Sequence, residues 1–537
     1  MTTAAAARDV ASLVLEAAAR LGDRPAVVRA GASTTFSQLA SDVQRLAAGL
    51  RRAGIAPGDR VALLVPPSRD MYACTFALFR MGAVPVFIDP GIGFKNMGRC
   101  LAETEPVAFI GSPKAHLARW IGRWAPTARI SIVADGTIPG LWSTRDIRGM
   151  GARAAAENAV PSPDSVAAVL FTSGSTGAPK GAVYTHGLFS AQVELLRSQF
   201  DIKEGEVSVP TFPLFGLFDA ALGLTCVIPD MDFTRPGGVD PSRIVACLQS
   251  AGADQLFGSP ALLDRVGRYG ALHGIALPRL KRVLSAGAPV PAKVLERFAR
   301  MLNPGVQIHT PYGATEALPI AIVGSTEILQ ETARLTAEGK GVCVGRPVDG
   351  VQVEIIKITD EPISIWGDSL RADAGEIGEI VVNGPVVSRE YFRRPAETAA
   401  AKIADGGATR HRMGDLGRFD EKGRLWFCGR KAHRVKTPAG ELYTIPVEGV
   451  FNAHPDVKRS ALVGVGPLPV LCVEKELSAK KSEAALTREL LVLGSKYPHT
   501  ASVGTILYHR SFPVDRRHNA KIFREKLAVW AAARLKG

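Results

Sequence analysis

The fold assignment of this chain depends on one loop rich in glycine and hydroxyl side chains, Phe171-Thr172-Ser173-Gly174-Ser175-Thr176-Gly177-Ala178-Pro179-Lys180-Gly181. The apolar run before it, Val166 to Phe171, predicts a buried strand. Glycines let a backbone approach a ligand closely, exposed N–H groups suit an anion, and hydroxyls and a lysine add donors. Most Gly/Ser turns are only polar surface turns, but this composition predicts a loop that grips nucleotide phosphates.

The order of residues in this loop distinguishes between families of phosphate-binding proteins. A Walker loop has the pattern G-x-x-x-x-G-K-[ST], which does not fit because Pro179 precedes the lysine. TSGSTGAPKG instead resembles the phosphate-loop signature of the adenylate-forming enzymes, which include acyl-CoA synthetases, luciferases and the adenylation domains of peptide synthetases. Further motifs in the order of that family strengthen the resemblance.

Length and composition are typical of a soluble globular protein with more than one domain. The chain has 537 residues, of which 46% are hydrophobic and 22% charged. No apolar run approaches the roughly eighteen residues of a membrane span, and no secretory signal is visible. The seven cysteines are scattered without C-x-x-C spacing, which predicts reduced, mostly buried thiols and a cytoplasmic location.

The formal net charge of +14 bears on which kinds of molecule the protein binds. The arginines are spread along the chain, without a long basic block or interleaved aromatics, so the sequence argues against nucleic-acid binding. Acidic substrates, a weak peripheral membrane contact or an acidic partner protein fit the charge better.

The order of apolar runs predicts an α/β fold. Between residues 25 and 140, short runs such as Val61 to Val65 and Val84 to Ile88 alternate with helical stretches, which favours parallel strands in layers. The resemblance implies a large multi-layer N-terminal domain, 1–430, with parallel sheets and a small β-rich subdomain, which binds ATP and the acyl substrate. It implies a small, mobile α+β C-terminal lid at 431–537.

A second motif, Tyr312-Gly313-Ala314-Thr315-Glu316, closely resembles the Y-G-x-T-E motif of the family. Tyr312 offers a flat face for adenine, and Gly313 allows close approach. Thr315 can bond the α-phosphate, and Glu316 is a hard oxygen ligand suited to Mg²⁺. The strand Val306 to His309 is expected to deliver this motif.

The resemblance assigns the remaining nucleotide contacts residue by residue. Asp415 takes the ribose-binding role, because a fixed carboxylate suits hydroxyl donors, and Arg430 contacts ribose and phosphate near the interdomain hinge. Lys521 is the catalytic lysine of the lid, acting with Lys180, Thr315 and Glu316. The implied ATP- and AMP-binding set is Thr172, Ser173, Gly174, Ser175, Thr176, Gly177, Gly287, Ala288, Pro289, Tyr312, Gly313, Ala314, Asp415 and Arg430.

Three positions depart from the pattern of the CoA ligases in this family. Gly216 stands where many of them have a histidine that gates substrate access, so a bulky gate is missing. Ala432 replaces an acidic or lysine hinge residue, and Pro438 alters the loop that shapes the thioester site. These departures argue against ordinary CoA ligation.

Over most of the chain the sequence resembles one subgroup, the β-lactone synthetases of the bacterial head-to-head olefin pathway. The segments that carry this resemblance are PTFPLFGLFD, VIPDMDFTRP, FGSPALL, RLWFCGRKAHRV, LYTIP and RRHNAKIFRE. The implied reaction adenylates a long-chain 2-alkyl-3-hydroxy fatty acid with ATP and Mg²⁺. The 3-hydroxyl then expels AMP to close a β-lactone, and an assembly with the β-lactone decarboxylase and the reductase of the pathway is also implied.

Two other functions stay open from the sequence. A long-chain acyl-CoA or acyl-carrier-protein ligase would share every ATP residue, and a non-catalytic acyl-nucleotide binding protein would need only the binding residues. The sequence does not identify which residue acts as the base for the 3-hydroxyl. His411 and His433 are candidates near the hinge, although a structural role is the more economical interpretation of each.

Overall fold

The computed structural model describes residues 9–152, 160–172, 178–514 and 522–536. In the first of these ranges the elements are α1 (Val10–Leu21), β1 (Pro25–Arg29), β2 (Ala32–Thr35), α2 (Phe36–Arg52), β3 (Arg60–Leu64), α3 (Arg69–Met81), β4 (Val84–Ile88), α4 (Phe94–Thr104), β5 (Ala108–Gly111), α5 (Pro113–Gly122), β6 (Ile130–Val133), β7 (Trp142–Ser143) and α6 (Thr144–Gly151).

The middle of the chain continues the alternation and then changes to consecutive strands. It contains β8 (Val166–Thr172), β9 (Lys180–Thr185), α7 (His186–Gln199), β10 (Val207–Pro210), α8 (Pro213–Leu222), β11 (Thr225–Ile228), α9 (Pro241–Ser250), β12 (Gln255–Phe257), α10 (Pro260–His273), β13 (Arg282–Leu284), α11 (Ala292–Ala299), β14 (Gln307–Ala314), β15 (Ala317–Gly324), α12 (Ser325–Glu327), α13 (Ala333–Ala337), β16 (Val342–Pro347), β17 (Gln352–Ile356), β18 (Gly378–Asn383), α14 (Pro395–Ala401), β19 (Lys402–Asp405), β20 (Ala408–Phe419) and β21 (Leu425–Arg430).

The last part of the chain is α+β. Its elements are β22 (Val435–Thr437), β23 (Gly440–Leu442), α15 (Thr444–Asn452), β24 (Val457–Val465), β25 (Leu468–Lys475), α16 (Glu483–Gly494), β26 (Thr505–Tyr508) and α17 (Arg524–Lys536). Strands β24, β25 and β26 form a three-stranded sheet, and β22 pairs with β23 as an antiparallel hairpin. Two hydrophobic clusters pack around the three-stranded sheet, on residues such as Phe451 and Phe512.

Two large sheets account for most of the rest of the fold. The seven-stranded sheet has the order β7-β6-β5-β3-β4-β8-β9 and is parallel except for the β8–β9 pair. The 14-stranded sheet has the order β17-β18-β20-β21-β16-β15-β14-β13-β12-β10-β11-β1-β2, with β19 paired to β20. Its strands are parallel from β1 through β14 and antiparallel from β14 to β17, so the predicted β-rich part continues the parallel sheet by hydrogen bonding.

The largest hydrophobic cluster lies around α2 and α3, and it includes strand residues from both large sheets. Helix α3 is buried along most of its length, from Asp70 to Met81, because apolar residues occupy all of its faces rather than one stripe. The α/β class predicted from the sequence is confirmed. All seven cysteines are free thiols, and six of them are buried.

Within the described part of the chain, no helix has both the length and the apolar character needed to cross a bilayer.

Candidate active site

A cavity of about 790 Å³ lies at the carboxyl ends of the parallel strands β10, β12 and β13, which is where open α/β sheets usually bind ligands. The β14–β15 hairpin and helices α7 and α8 complete its walls. It brings together eight of the residues predicted from the sequence: Lys180, Gly287, Tyr312, Gly313, Ala314, Thr315, Glu316 and Arg430. Ala288 and Pro289 follow Gly287 in the turn after β13 but do not line the cavity.

Several predicted residues lie outside the described part of the chain. These are Ser173, Gly174, Ser175, Thr176, Gly177 and Lys521. Thr172 ends strand β8 immediately before the phosphate loop, and Lys180 opens β9 opposite it in the antiparallel register. The two strands therefore hold the ends of the loop side by side.

The strand that delivers the Y-G-x-T-E motif is longer than the predicted Val306 to His309, because β14 continues through Tyr312 to Ala314. Only Thr315 and Glu316 form the turn of the β14–β15 hairpin. Tyr184 donates a hydrogen bond to the Thr315 carbonyl over 2.5 Å, and the Ser388 amide donates to the Glu316 carbonyl over 2.8 Å. The turn is thus held on both sides, which fixes where its side chains point.

Asp415 forms a buried cluster with two other predicted residues, Tyr312 and Arg430. The Tyr312 hydroxyl donates to Asp415 Oδ2 over 2.6 Å, and Arg430 Nη1 lies 3.0 Å from Oδ1. The neighbouring carboxylate raises the pKa of Arg430, and burial together with Asp415 raises the pKa of Tyr312. Both partners therefore keep their protons. Tyr312 and Arg430 line the cavity, whereas the Asp415 carboxylate is buried behind them and does not line it.

A second cluster surrounds Glu316 and was not found from the sequence. The Tyr391 hydroxyl donates to Glu316 Oε1 over 2.7 Å, and Lys180 Nζ lies 5.1 Å from the Tyr391 ring centroid. Lys402 Nζ lies 5.7 Å from the same centroid and donates to the Ser388 carbonyl over 2.5 Å. Burial lowers the pKa of Lys402 to about 7. These contacts join residues far apart in the chain, so no local pattern could have indicated them.

The two candidate histidines have different surroundings. His433 Nε2 lies 3.1 Å from Glu525 Oε1 and does not line the cavity, so its contacts are structural. His411 lines the cavity, and its Nδ1 lies 3.2 Å from the Ala401 carbonyl. Burial and the adjacent Lys402 hold the pKa of His411 well below its usual value, so the ring is neutral.

The other part of the cavity has an aromatic wall. Phe215 stacks on Phe257 with ring centroids 4.0 Å apart, and the surrounding apolar lining is Phe189, Leu196, Phe200, Phe212, Leu214, Phe218, Leu222 and Phe233. Such a wall suits an alkyl chain, because the hydrophobic effect favours burying both surfaces.

The interpretation of Gly216 as a missing gate was wrong. Gly216 lies on α8 but does not line the cavity, and a Cβ atom there would overlap the buried Tyr72 hydroxyl. The position requires glycine because the buried Tyr72 side chain reaches it from α3, so the departure from histidine reflects core packing. Pro438 lies in the turn between β22 and β23, and Ala432 lines the cavity.

The packing at Gly216 gives a stability prediction. Replacing Gly216 with alanine should lower the free energy of unfolding by about 1–3 kcal/mol, because the added methyl overpacks the core. Urea denaturation measures this change. Gly149→Ala in α6 is the control, since its Cβ would meet nothing within 4 Å. Adding Tyr72→Phe to Gly216→Ala should restore part of the loss, and equal destabilisation by both glycine replacements would contradict the prediction.

Sequence comparisons agree with this geometry. The profile of the AMP-binding enzyme family matches residues 14–392. An olefin beta-lactone synthetase of Xanthomonas campestris pv. campestris is 48% identical over 511 residues, which cover 93% of this chain and 91% of that protein. An olefin beta-lactone synthetase of Stenotrophomonas maltophilia is also 48% identical, with the same coverage of each chain.

Among solved structures, the amide bond synthetase McbA from Marinactinospora thermotolerans is similar with a TM-score of 0.80. The two are 24% identical, and the match covers 97% of this chain and 99% of McbA, which supports the fold alone. The resemblance stated from the sequence motifs is confirmed by the family profile and by the two 48% identical relatives. The chain belongs to the AMP-binding enzyme family.

Proposed function

We propose that this enzyme uses ATP to adenylate a long-chain 2-alkyl-3-hydroxy fatty acid and then closes it to a β-lactone, releasing pyrophosphate and AMP. The observation that carries the proposal is the 48% identity to two olefin beta-lactone synthetases over nine-tenths of the chain. The aromatic cavity beside the motif residues supports a bulky alkyl substrate.

The reaction has two steps, activation of the acid and closure of the ring. A carboxylate oxygen of the acid attacks the α-phosphorus of ATP, and pyrophosphate leaves. The 3-hydroxyl oxygen then attacks the acyl carbon, and AMP leaves with the electron pair of the broken bond. The first step requires little covalent chemistry from the protein. It depends on positioning the two reactants and on neutralising the charge of the phosphates.

We assign roles to the predicted residues by their surroundings. Tyr312 stacks on adenine, Asp415 accepts from the ribose hydroxyls, and Arg430 stays close to both ribose and phosphate. Lys180 and Thr315 contact phosphate oxygens, together with the hydroxyls and amides of residues 172–177. Lys521 completes the charge neutralisation when the lid, residues 431–537, closes; the two hydrophobic clusters of that segment support its assignment as a separate unit.

Mg²⁺ fits this site through one protein carboxylate. No cluster of three or more potential metal ligands occurs among the residues that the structure describes, so the ion would be held by Glu316, water and ATP phosphates, as is common for Mg²⁺. When bound it would neutralise charge on the phosphates. Tyr391 orients Glu316 for this role by its hydrogen bond to Oε1.

A peripheral membrane contact is also proposed, on the surface formed by α4 and α5. Phe94, Leu117, Trp120 and Ile121 are 51%, 55%, 53% and 71% exposed there. Exposed cations, Lys95, Lys114 and Arg123, flank them in the sequence. Apolar side chains bordered by cations are typical of proteins that bind anionic lipid surfaces. A water-insoluble substrate would be delivered from such a surface.

Removing apolar side chains from this surface should weaken vesicle binding. We expect Trp120→Ser combined with Ile121→Ser to reduce co-sedimentation with phosphatidylglycerol vesicles about tenfold, because less apolar surface is buried in the lipid. Leu272→Ser on α10 is the matched control, since Leu272 is 80% exposed elsewhere. Absence of vesicle binding by the wild-type protein, or an equal loss in the control, would contradict the prediction.

Co-purification with the decarboxylase and the reductase tests the predicted assembly separately.

The decisive experiment for the function is a reaction without CoA. The purified protein is incubated with ATP, Mg²⁺ and a 2-alkyl-3-hydroxy acid, and the products are resolved by NMR without heating. We expect lactone and AMP in equal amounts. Pyrophosphate release without lactone, followed by thioester formation on adding CoA, would instead identify an acyl-CoA ligase. ATP binding without pyrophosphate release would identify a non-catalytic protein.

A further inference from the structure

The wall of the cavity contains three buried oxygen atoms that lack a hydrogen-bond donor. Gln192, Asp219 and Gln255 all line the cavity and are 1%, 4% and 4% exposed. Gln192 Oε1, Asp219 Oδ2 and Gln255 Oε1 have no hydrogen-bond partner among the described residues. Buried polar atoms in native proteins are almost always partnered, so three such acceptors in one wall indicate a ligand that donates.

Asp219 is the most unusual of the three because it is a carboxyl group. No ion pair connects it to a lysine, arginine or histidine of the described chain. Ser208 and Cys226 hydrogen-bond to the carboxyl, and the Tyr72 hydroxyl lies 2.9 Å from Cys226 Sγ. Burying a carboxyl without a cation costs stability, so such groups are concentrated where function requires them.

The protonation of this group suits a proton acceptor. Burial raises the pKa of Asp219 to about 7, near the working pH that is ideal for a general base. Tyr72 and Cys226 are the titratable groups that face it. Burial raises the pKa of each well above its usual value, so both stay neutral and only Asp219 titrates in this cluster.

Two of the three acceptors, on Asp219 and Gln255, are joined through Ser208, which hydrogen-bonds to both side chains. Ser208 on β10 pairs in register with Gln255 on β12, beneath the strand ends at Pro210 and Phe257. Asp219 lies one helical turn after Phe215, which stacks on Phe257. Asp219 and Gln255 are therefore close neighbours of the aromatic wall.

Gln192 connects this region to the nucleotide end of the cavity. Its Nε2 donates to the Leu318 carbonyl over 2.9 Å, in β15 just after Thr315 and Glu316. With Nε2 assigned to that carbonyl, and with the side chain also in contact with Tyr184, Oε1 is the amide atom without a hydrogen-bond partner among the described residues.

We propose that these oxygens bind the hydroxyl group of the acyl substrate and that Asp219 takes its proton during ring closure. The inference rests on the proposed function, which identifies this group as the 3-hydroxyl. The hydroxyl oxygen forms a bond to the acyl carbon, and its proton passes to the Asp219 carboxylate. The bond from the acyl carbon to the AMP oxygen breaks, and AMP leaves with the electron pair.

The same acceptors would set substrate preference before any ring closes. An acid without the hydroxyl leaves them unpaired in an apolar wall, and sites built to hydrogen-bond a hydroxyl reject analogues that lack it. A plain fatty acid is thus a poor substrate, which distinguishes this cavity from one built for an alkyl chain alone.

The test compares two substrates, the 2-alkyl-3-hydroxy acid and the same 2-alkyl acid without the hydroxyl, with pyrophosphate and lactone measured separately. Asp219→Asn keeps the shape of the side chain and should slow lactone formation about 100- to 10,000-fold, while pyrophosphate release from the plain acid changes little. Gln192→Met removes the bond to the Leu318 carbonyl for both substrates, so kcat/KM should fall about tenfold more for the hydroxy acid than for the plain acid. The control Asp230→Asn alters an exposed carboxyl and should change neither.

The wild-type enzyme supplies two further readouts. It should prefer the hydroxy acid about 100-fold in kcat/KM, and lactone formation should rise as the pH passes through about 7, because only the ionised Asp219 accepts a proton. Asp219→Asn should lose that pH dependence, which a merely structural residue would not control.

The outcomes separate this inference from the proposed function. Lactone formation by Asp219→Asn within threefold of wild type, or an equal loss with both acids, overturns the role of Asp219. Wild-type enzyme that releases pyrophosphate from the hydroxy acid without forming lactone overturns the proposed function instead. In that case the preference for the hydroxy acid still tests hydroxyl binding, and equal kcat/KM for the two acids overturns it.

Discussion

Replacing Glu316 with glutamine should lower the rate of adenylate formation about 100- to 1,000-fold, the usual cost of removing one charge-stabilising group from a site of this kind. Glutamine has the same shape and can still accept the hydrogen bond from Tyr391, whose hydroxyl lies 2.7 Å from Oε1. The hairpin turn should therefore keep its position while the site loses its negative charge. AMP release over a range of Mg²⁺ concentrations measures the effect.

Two further variants separate charge from position at Glu316. Tyr391→Phe removes the hydrogen bond but keeps the carboxylate, so we expect a loss of about tenfold, as for one hydrogen bond to a charged group. Glu338→Gln makes the same substitution in an i,i+4 pair with Arg334, away from the cavity, and should leave the rate unchanged. A Glu316→Gln rate within tenfold of wild type at saturating Mg²⁺ would show that this carboxylate does not hold the ion.

Sequence reasoning was most successful where the determinants are local. The apolar runs at β3, β4 and β8 predicted buried strands, because period and composition indicate them directly. The phosphate loop and the Y-G-x-T-E motif each lie in one short segment, so their family could be recognised without knowing the fold. The structure then placed Lys180 and the Tyr312–Glu316 motif around one cavity, as the resemblance implied.

Prediction failed where residues distant in the chain meet. Gly216 was interpreted through a family motif, but its chemistry depends on Tyr72, which reaches it from α3. The hydrogen bond between Tyr391 and Glu316 spans 75 residues, and the two hydrogen-bond partners of Asp219 come from β10 and β11. Strand order also depends on contacts between distant residues. Strands β13 and β14 are consecutive in the chain and pair directly, whereas β16 pairs with β21, which follows it only after four other strands.

These failures fall on groups whose burial, rather than their identity, gives them a role. A sequence shows an aspartate at position 219, but only the packing of α8 against β10 and β11 shows that it is buried without a cation. The same is true of Lys402, whose pKa is lowered to about 7 by burial. Desolvation is a property of the assembled fold, and no local pattern carries it.

Replacing Asp415 with asparagine should raise the KM for ATP about 100-fold, because the ribose hydroxyls lose a charged acceptor. It should also lower the free energy of unfolding by about 2 kcal/mol, since the Tyr312 hydroxyl and the Arg430 guanidinium both lose their ionised partner. Initial rates at varied ATP and urea denaturation measure the two effects. Tyr312→Phe keeps the carboxylate and the Arg430 ion pair, so its effect on KM should be smaller.

The two measurements on Asp415 answer different questions. If this residue only held Arg430 and Tyr312 in place, Asp415→Asn would destabilise the protein while the KM for ATP stayed near the wild-type value, which would contradict the ribose assignment. If it binds ribose, the rise in KM should be larger than for Tyr312→Phe even at temperatures where both variants are fully folded. A double variant, Asp415→Asn with Arg430→Met, removes the unpaired cation and should recover part of the stability but none of the affinity for ATP.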